Sequence, residues 1–243
     1  MIKWFTKAFG VNLSEAKQSD PASFASFNEF FTREIKEELR PIADTAIVSP
    51  VDGTVSQTGD ITEGRIFQAK GQEYTVQELL ACDAVEAGIY DRGQFATVYL
   101  SPKDYHRIHM PFKGELLEQV HVPGRLFSVA PHTVKTVPRI FARNERVVAT
   151  FDTEYGRMAM VLVGAINVAA IETVWDGLVT PPKGKKISRK YYEKGDVTLD
   201  KGEELGRFNM GSTIVMLMES KDPAIGDFLK EGLPLKMGQA FSN

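Results

Sequence analysis

Cysteine is nearly missing. Cys82 is the single thiol in 243 residues, which excludes an internal disulfide framework and any cysteine-cluster metal site and fits a reducing compartment. An excess of positive charge is missing too. Lys and Arg number 29 against 32 Asp and Glu, a formal net charge of −3. No global field draws such a chain to nucleic acid, and no local basic patch stands out. The longest uncharged stretch of note, Met158–Ile171, has 14 residues, is interrupted by Asn167 and is bounded by Arg157 and Glu172. It falls short of the roughly 18 apolar residues that span a bilayer and reads as buried strand. The N-terminus has neither the apolar core nor the small-residue cleavage site of a secretory signal. Histidine is scarce: His106, His109, His121 and His132 are all the chain has for acid–base chemistry near neutral pH.

What is present describes a globular protein with a sizeable core: 43% hydrophobic, 10% aromatic and 25% charged residues. The first forty residues read as helical. Phe24, Phe27 and Phe31 recur at three- and four-residue steps, giving an aromatic stripe that Pro41 ends. Met1–Val11 sets Ile2, Trp4, Phe5, Phe9 and Val11 among Lys3 and Lys7, with no acid before Glu15. That pattern suits either an interfacial helix on anionic lipid or a helix docked on its own domain. Beyond Pro41 the texture changes to short β-type runs: Val48–Val55, Phe95–Leu100, Leu116–Val122, Val147–Thr153, Met158–Val163 and Ile166–Thr173. Glycine turns such as Asp52-Gly53 and Pro123-Gly124 separate them, and Thr75–Ala81 and Pro223–Glu231 read as later helices. The expected fold is α+β, with N-terminal amphipathic helices over residues 1–40 and a single β-rich catalytic domain over 41–243.

Three segments could carry chemistry. Ser49–Val55 (SPVDGTV) reads as a strand entering an Asp-Gly turn, or as a fixed carboxylate, Asp52, that orients an imidazole. Ser101–Pro111 (SPKDYHRIHMP) holds His106 and His109 three apart after a strand. A helical HExxH site would space its histidines by four with a glutamate between, so no metal is expected here. A surface pair, or acid–base work at a strand end, remains open. The third is Arg207–Met216 (RFNMGSTIVM), a turn feeding a strand that lacks the flanking glycines of a hydrolase elbow. It also suits self-processing, in which a serine hydroxyl attacks the carbonyl of the preceding glycine, the least hindered residue.

Together Phe27–Arg33 (FNEFFTR), Ser49–Thr54 (SPVDGT), Tyr99–Pro111 (YLSPKDYHRIHMP), Phe141–Val147 (FARNERV), Glu172–Trp175 (ETVW) and Phe208–Ile214 (FNMGSTI) resemble the bacterial phosphatidylserine decarboxylase family. The match runs in one order over nearly the whole chain. It implies self-cleavage at Gly211–Ser212 into a large chain, 1–211, and a small chain, 212–243, headed by a pyruvoyl group made from Ser212. Asp52, His109 and Ser212 would form the self-cleavage triad, His109 taking the serine proton and Asp52 fixing its tautomer. His106 would contact substrate and assist proton transfer. Met210 stands where leucine is usual in the family, a volume-conserving swap.

The resemblance further implies decarboxylation of phosphatidylserine to phosphatidylethanolamine and CO2 through a Schiff base, with pyruvoyl as electron sink. It also implies contact with an anionic membrane surface, a peripheral location on the cytoplasmic face of the bacterial inner membrane, a homodimer and no nucleic-acid partner. Three rival readings stay open: a pyruvoyl decarboxylase for another amine-bearing acid, a serine hydrolase built on Asp52, His109 and Ser212, and a non-enzymatic carrier module.

Overall fold

The structure is a computed structural model and describes residues 1–69, 71–166, 170–181, 186–209 and 212–243. Its body is built from antiparallel strands. The largest sheet among the described residues has nine strands. Its central members run in the order Gly114–Val122, Arg146–Thr153, Gly156–Val163, Ser212–Met218, Gln94–Leu100 and Gly53–Asp60. A second, four-stranded sheet carries Ile171–Thr173, Glu204–Phe208 and Arg107–His109. All seven residues of Ser212–Met218 are buried. A strand covered on both faces needs a continuous apolar run rather than alternation, and Ile214–Met218 provides one. Met158–Val163 obeys the same logic and is buried throughout, as its uncharged sequence predicts. The strand expected over Ile166–Thr173 is formed at Ile171–Thr173; residues 167–169 lie outside the described residues.

The strands read from sequence form at or near their expected places, shorter ones such as Arg65–Ala69, Ser188–Tyr191 and Glu204–Phe208 were not read, and two features differ. Asp52-Gly53 is not a hairpin turn. Gly53 opens a strand paired with Gln94–Leu100, and a Cβ there would stand 2.6 Å from the Tyr99 carbonyl oxygen. Glycine is required for that close approach of two backbones. Pro223–Glu231 is not a helix either. Its backbone is spent on neighbours: Gly226 N–H donates to Phe241 O (2.9 Å) and Ile225 N–H to Gln94 Oε1 (2.7 Å). The helix expected at Thr75–Ala81 is present at Val76–Leu80, started by a capping box between Thr75 and Glu78.

The N-terminal lead holds less helix than its spacing suggests. Ile2–Phe9 is helical and stops at Gly10, whose φ of 69° is left-handed. The second helix spans only Phe27–Phe31, because the Ser26 hydroxyl accepts the Glu29 N–H and fixes the start there. Phe5, Phe24, Phe30 and Phe31 nevertheless form a buried cluster of their own with Val11, Leu13 and Ala16. The Phe5 ring lies 5.0 Å from Phe27 and 5.9 Å from Phe30, an edge-on arrangement that aromatic quadrupoles favour. The first helix therefore docks on its own chain through Phe5. Its other face leaves Met1 and Trp4 in solvent, Trp4 at 68% exposure, and Phe9, 4.3 Å from the Phe5 ring, stays exposed beside the docked face.

Candidate active site

The strand Gln94–Leu100 leads into a tight turn. The Asp104 carboxylate accepts both the Ser101 N–H and its hydroxyl, each at 2.7 Å. That turn reverses the chain and aims both histidines inward. His106 is fully buried, with its ring 4.1 Å from that of Phe31. Its Nδ1 lies 2.8 Å from the Asp104 carbonyl oxygen. A carbonyl can only accept, so Nδ1 carries the proton and Nε2 carries the lone pair. Nε2 has no hydrogen-bond partner among the described residues. Burial pushes the His106 pKa down from 6.5 to about 3, so the ring is neutral at physiological pH. Arg33 secures the loop from the N-terminal side by donating to the carbonyls of Lys103 (3.0 Å) and Asp104 (3.4 Å).

His109 ends the strand Arg107–His109, and its backbone N–H donates to Pro50 O at 2.8 Å. That bond brings the ring close to Asp52, two residues further on. Burial pushes the His109 pKa below its ordinary value, against the opposing pull of a bond to the Gly202 carbonyl. Here the expected triad needs correction. Asp52 was expected to fix the His109 tautomer, but His109 Nδ1 lies 2.8 Å from Gly202 O, so a backbone carbonyl orients the ring. The buried Asp52 carboxylate is occupied elsewhere. It accepts Arg40 through Nε (2.9 Å) and a terminal nitrogen (2.6 Å), the Met237 N–H (2.8 Å) and Lys236 Nζ (3.3 Å). A bidentate guanidinium, an ammonium and an amide use its acceptor sites, leaving Asp52 to act on His109 through its charge alone.

Ser212 is the first residue of the central strand, registered opposite Leu100 and fully buried. Its hydroxyl, like His106 Nε2, has no partner among the described residues. The two belong to one junction. Phe208 N–H donates to the His106 carbonyl at 3.0 Å, and four residues later Ser212 pairs with Leu100, just ahead of the histidine turn. Met210 and Gly211, and with them the expected cleavage bond, lie outside the described residues. No hydrogen bond joins Ser212 to His109 among the described residues.

Two cavities adjoin these groups. One, of about 300 Å³, is bordered mainly by apolar residues, among them Phe5, Phe9, Phe31, Leu100, Pro102 and Ile166. It touches the ladder partner of Ser212 and the ring stacked on His106. The other, of about 550 Å³, is charged and reaches His109 and Tyr105 past Lys36, Arg40, Arg107 and Glu204. Tyr105, Arg40, Lys236 and the Gly202 carbonyl were not singled out from sequence. Tyr105 stands inside the histidine segment, but a phenol there has no spacing rule to mark it. The other three reach the site only through the fold.

Comparison with known proteins gives the family. The family model described as phosphatidylserine decarboxylase matches residues 27–243. The chain is similar to the phosphatidylserine decarboxylase proenzyme of Shewanella loihica, at 57% identity over 100% of this chain and 87% of the relative. It is similar to the proenzyme of the same name from Shewanella amazonensis, at 56% identity over 99% of this chain and 86% of the relative. With a family model matched over residues 27–243 and relatives at 56–57% identity along nearly the whole chain, this protein belongs to the phosphatidylserine decarboxylase family.

Proposed function

We propose that this chain is a proenzyme that cuts itself between Gly211 and Ser212 and then converts phosphatidylserine to phosphatidylethanolamine and CO2 at a membrane surface. The observation that carries the reading is the Ser212 hydroxyl, buried and unpartnered among the described residues, where a strand of the four-stranded sheet meets the central strand. A desolvated hydroxyl with no partner costs about 1–3 kcal/mol, so such groups mark sites where something other than stability is served.

In the cleavage step Ser212 Oγ attacks the Gly211 carbonyl carbon, His109 Nε2 takes the hydroxyl proton, and the acyl group moves from nitrogen to oxygen. Elimination then breaks the Cβ–Oγ bond and releases the large chain as a carboxylate. Water converts the dehydroalanine left at position 212 to a pyruvoyl group and ammonia. The residues fit such a group: Ser212 is held in register by its ladder, and a neutral histidine with a free lone pair lies across the same junction. Once formed, the pyruvoyl carbonyl supplies an electron sink for the pair left when CO2 departs. His106 contacts the substrate and assists protonation of the carbon that CO2 leaves. Asp52 assists His109 through its negative charge.

The mainly apolar cavity beside Leu100 and Phe31 admits the lipid, and residues 1–40 form the docking region for the catalytic domain, 41–243. Exposed Trp4 and Phe9, with Lys3 and Lys7 on the same helix, support contact with an anionic bilayer. None of the described helices is long and apolar enough to cross a membrane. We further place the enzyme as a homodimer on the cytoplasmic face of the inner membrane. The purified protein is expected to release CO2 from carboxyl-labelled phosphatidylserine in anionic vesicles and not from free serine. Release from serine alone would move the assignment to a decarboxylase of another amine-bearing acid.

A further inference from the structure

We propose that Tyr105 is a positioning residue that caps the basic nitrogen of His109 and so sets how fast the chain cuts itself. The inference rests on the reading of His109 as the base for Ser212. His109 Nδ1 is committed to the Gly202 carbonyl at 2.8 Å, which leaves one lone pair, at Nε2. The Tyr105 hydroxyl lies 3.0 Å from that nitrogen. Burial raises the Tyr105 pKa far above neutrality, so the phenol keeps its proton and donates it to Nε2. The lone pair needed to take the Ser212 proton is thus engaged in this arrangement, and the Tyr105 bond must be exchanged before the base can act.

The surroundings allow that exchange. Tyr105 and His109 share the cavity of about 550 Å³, which the Glu204 carboxylate, bonded through Oε2 to Arg107 at 2.8 Å, also lines. The charged groups around His109 and its cavity are Asp52 from the body, Lys17, Glu34, Lys36, Glu37 and Arg40 from the N-terminal lead, Arg107 on its own strand and Glu204 on the neighbouring strand. Tyr105→Phe leaves all of these in place and removes one donor. Donation to the neutral ring favours the neutral form, so losing it raises the His109 pKa. Cleavage by a neutral base is lost as pH falls through that pKa, and the acid limb therefore moves to higher pH in the variant.

The test follows freshly synthesised precursor in a cell-free system, by denaturing gel, across a pH series. Tyr105→Phe is expected to cut roughly fivefold faster on the plateau, with its acid limb about 0.7 pH unit higher, as suits one hydrogen bond of ordinary net strength. A wild-type rate with an unmoved limb, or slower cutting by folded protein, overturns the proposal. If Tyr105→Phe fails to fold, 3-fluorotyrosine placed at 105 keeps the shape and donates more strongly. It is expected to slow cutting, and an unchanged or faster rate overturns the proposal. His109→Ala separates the two readings: if it cuts at the wild-type rate, the base assignment fails, whereas cutting lost in His109→Ala but unchanged in Tyr105→Phe sinks only the role of Tyr105.

Discussion

Ser212→Ala is expected to give a single uncut chain with no decarboxylase activity and no loss of stability. The substitution removes one atom, Oγ, which is buried without a partner among the described residues. Its desolvation is a cost of about 1–3 kcal/mol in the folded chain, so removal is neutral or stabilising. The ladder that holds the residue, with Leu100 opposite Ser212 and Val163 opposite Thr213, is made by backbone and survives. Without Oγ no acyl shift can begin, no keto group is made, and no other side chain here offers an electron sink. A gel, a CO2 assay and a thermal melt report the three outcomes together. A cut Ser212→Ala chain would place the scissile bond elsewhere. A folded, uncut variant that keeps activity would remove the serine-derived group from the account.

The second large effect belongs to Asp52. Its carboxylate, 1% exposed, gathers Arg40 from the N-terminal lead and Lys236 and Met237 from the proposed small chain. Arg40 is itself buried and also bonded to Glu15 at 2.6 Å. Asp52→Asn leaves a buried guanidinium with one carboxylate where it had two. It should lower the unfolding free energy by about 3 kcal/mol, the scale for a buried pair deprived of one partner. Denaturant unfolding in the Ser212→Ala background measures this on one continuous chain. Were Asp52 only the relay partner of His109, the same change would slow cleavage about 10⁴-fold and leave stability nearly unchanged. The clamp also bears on the mature enzyme. Ser49 exchanges bonds with Gln239 (2.7 Å) and Gly238 (2.9 Å), and Phe241 N–H donates to Ile47 O (2.9 Å). With the central strand laddered on both sides, these bonds would hold residues 212–243 in place once the backbone was cut at the proposed bond.

The parts of this molecule that could be read from sequence are those with local causes. Met158–Val163 and Ile214–Met218 are apolar without interruption and became strands buried on both faces. The helix read over Thr75–Ala81 formed at Val76–Leu80, where Thr75 and Glu78, three apart, cap its start. Ser212 and the two histidines were visible because their segments are short and their chemistry is distinctive. What stayed hidden depends on distant partners. Nothing near Asp52 announces that Arg40, twelve positions before it, and Lys236, 184 positions after it, will occupy its oxygens. The orienting group for His109 is the carbonyl of Gly202, which has no side chain to recognise. The aromatic stripe from Phe24 to Phe31 misled for a related reason. Its periodicity reports burial against Phe5, while the Ser26 cap decides where the helix begins.

The central claim is that residue 212 ends as the blocked head of a separate chain. The intact mass of the purified protein, taken under denaturing conditions with N-terminal sequencing of the small piece, tests it most directly. The account predicts two chains, residues 1–211 and a 32-residue piece running from 212 to 243. The smaller should be lighter than its serine-headed sequence by one ammonia and refractory to sequencing. A single intact chain that decarboxylates phosphatidylserine, or a small piece with a free N-terminal serine, would contradict it.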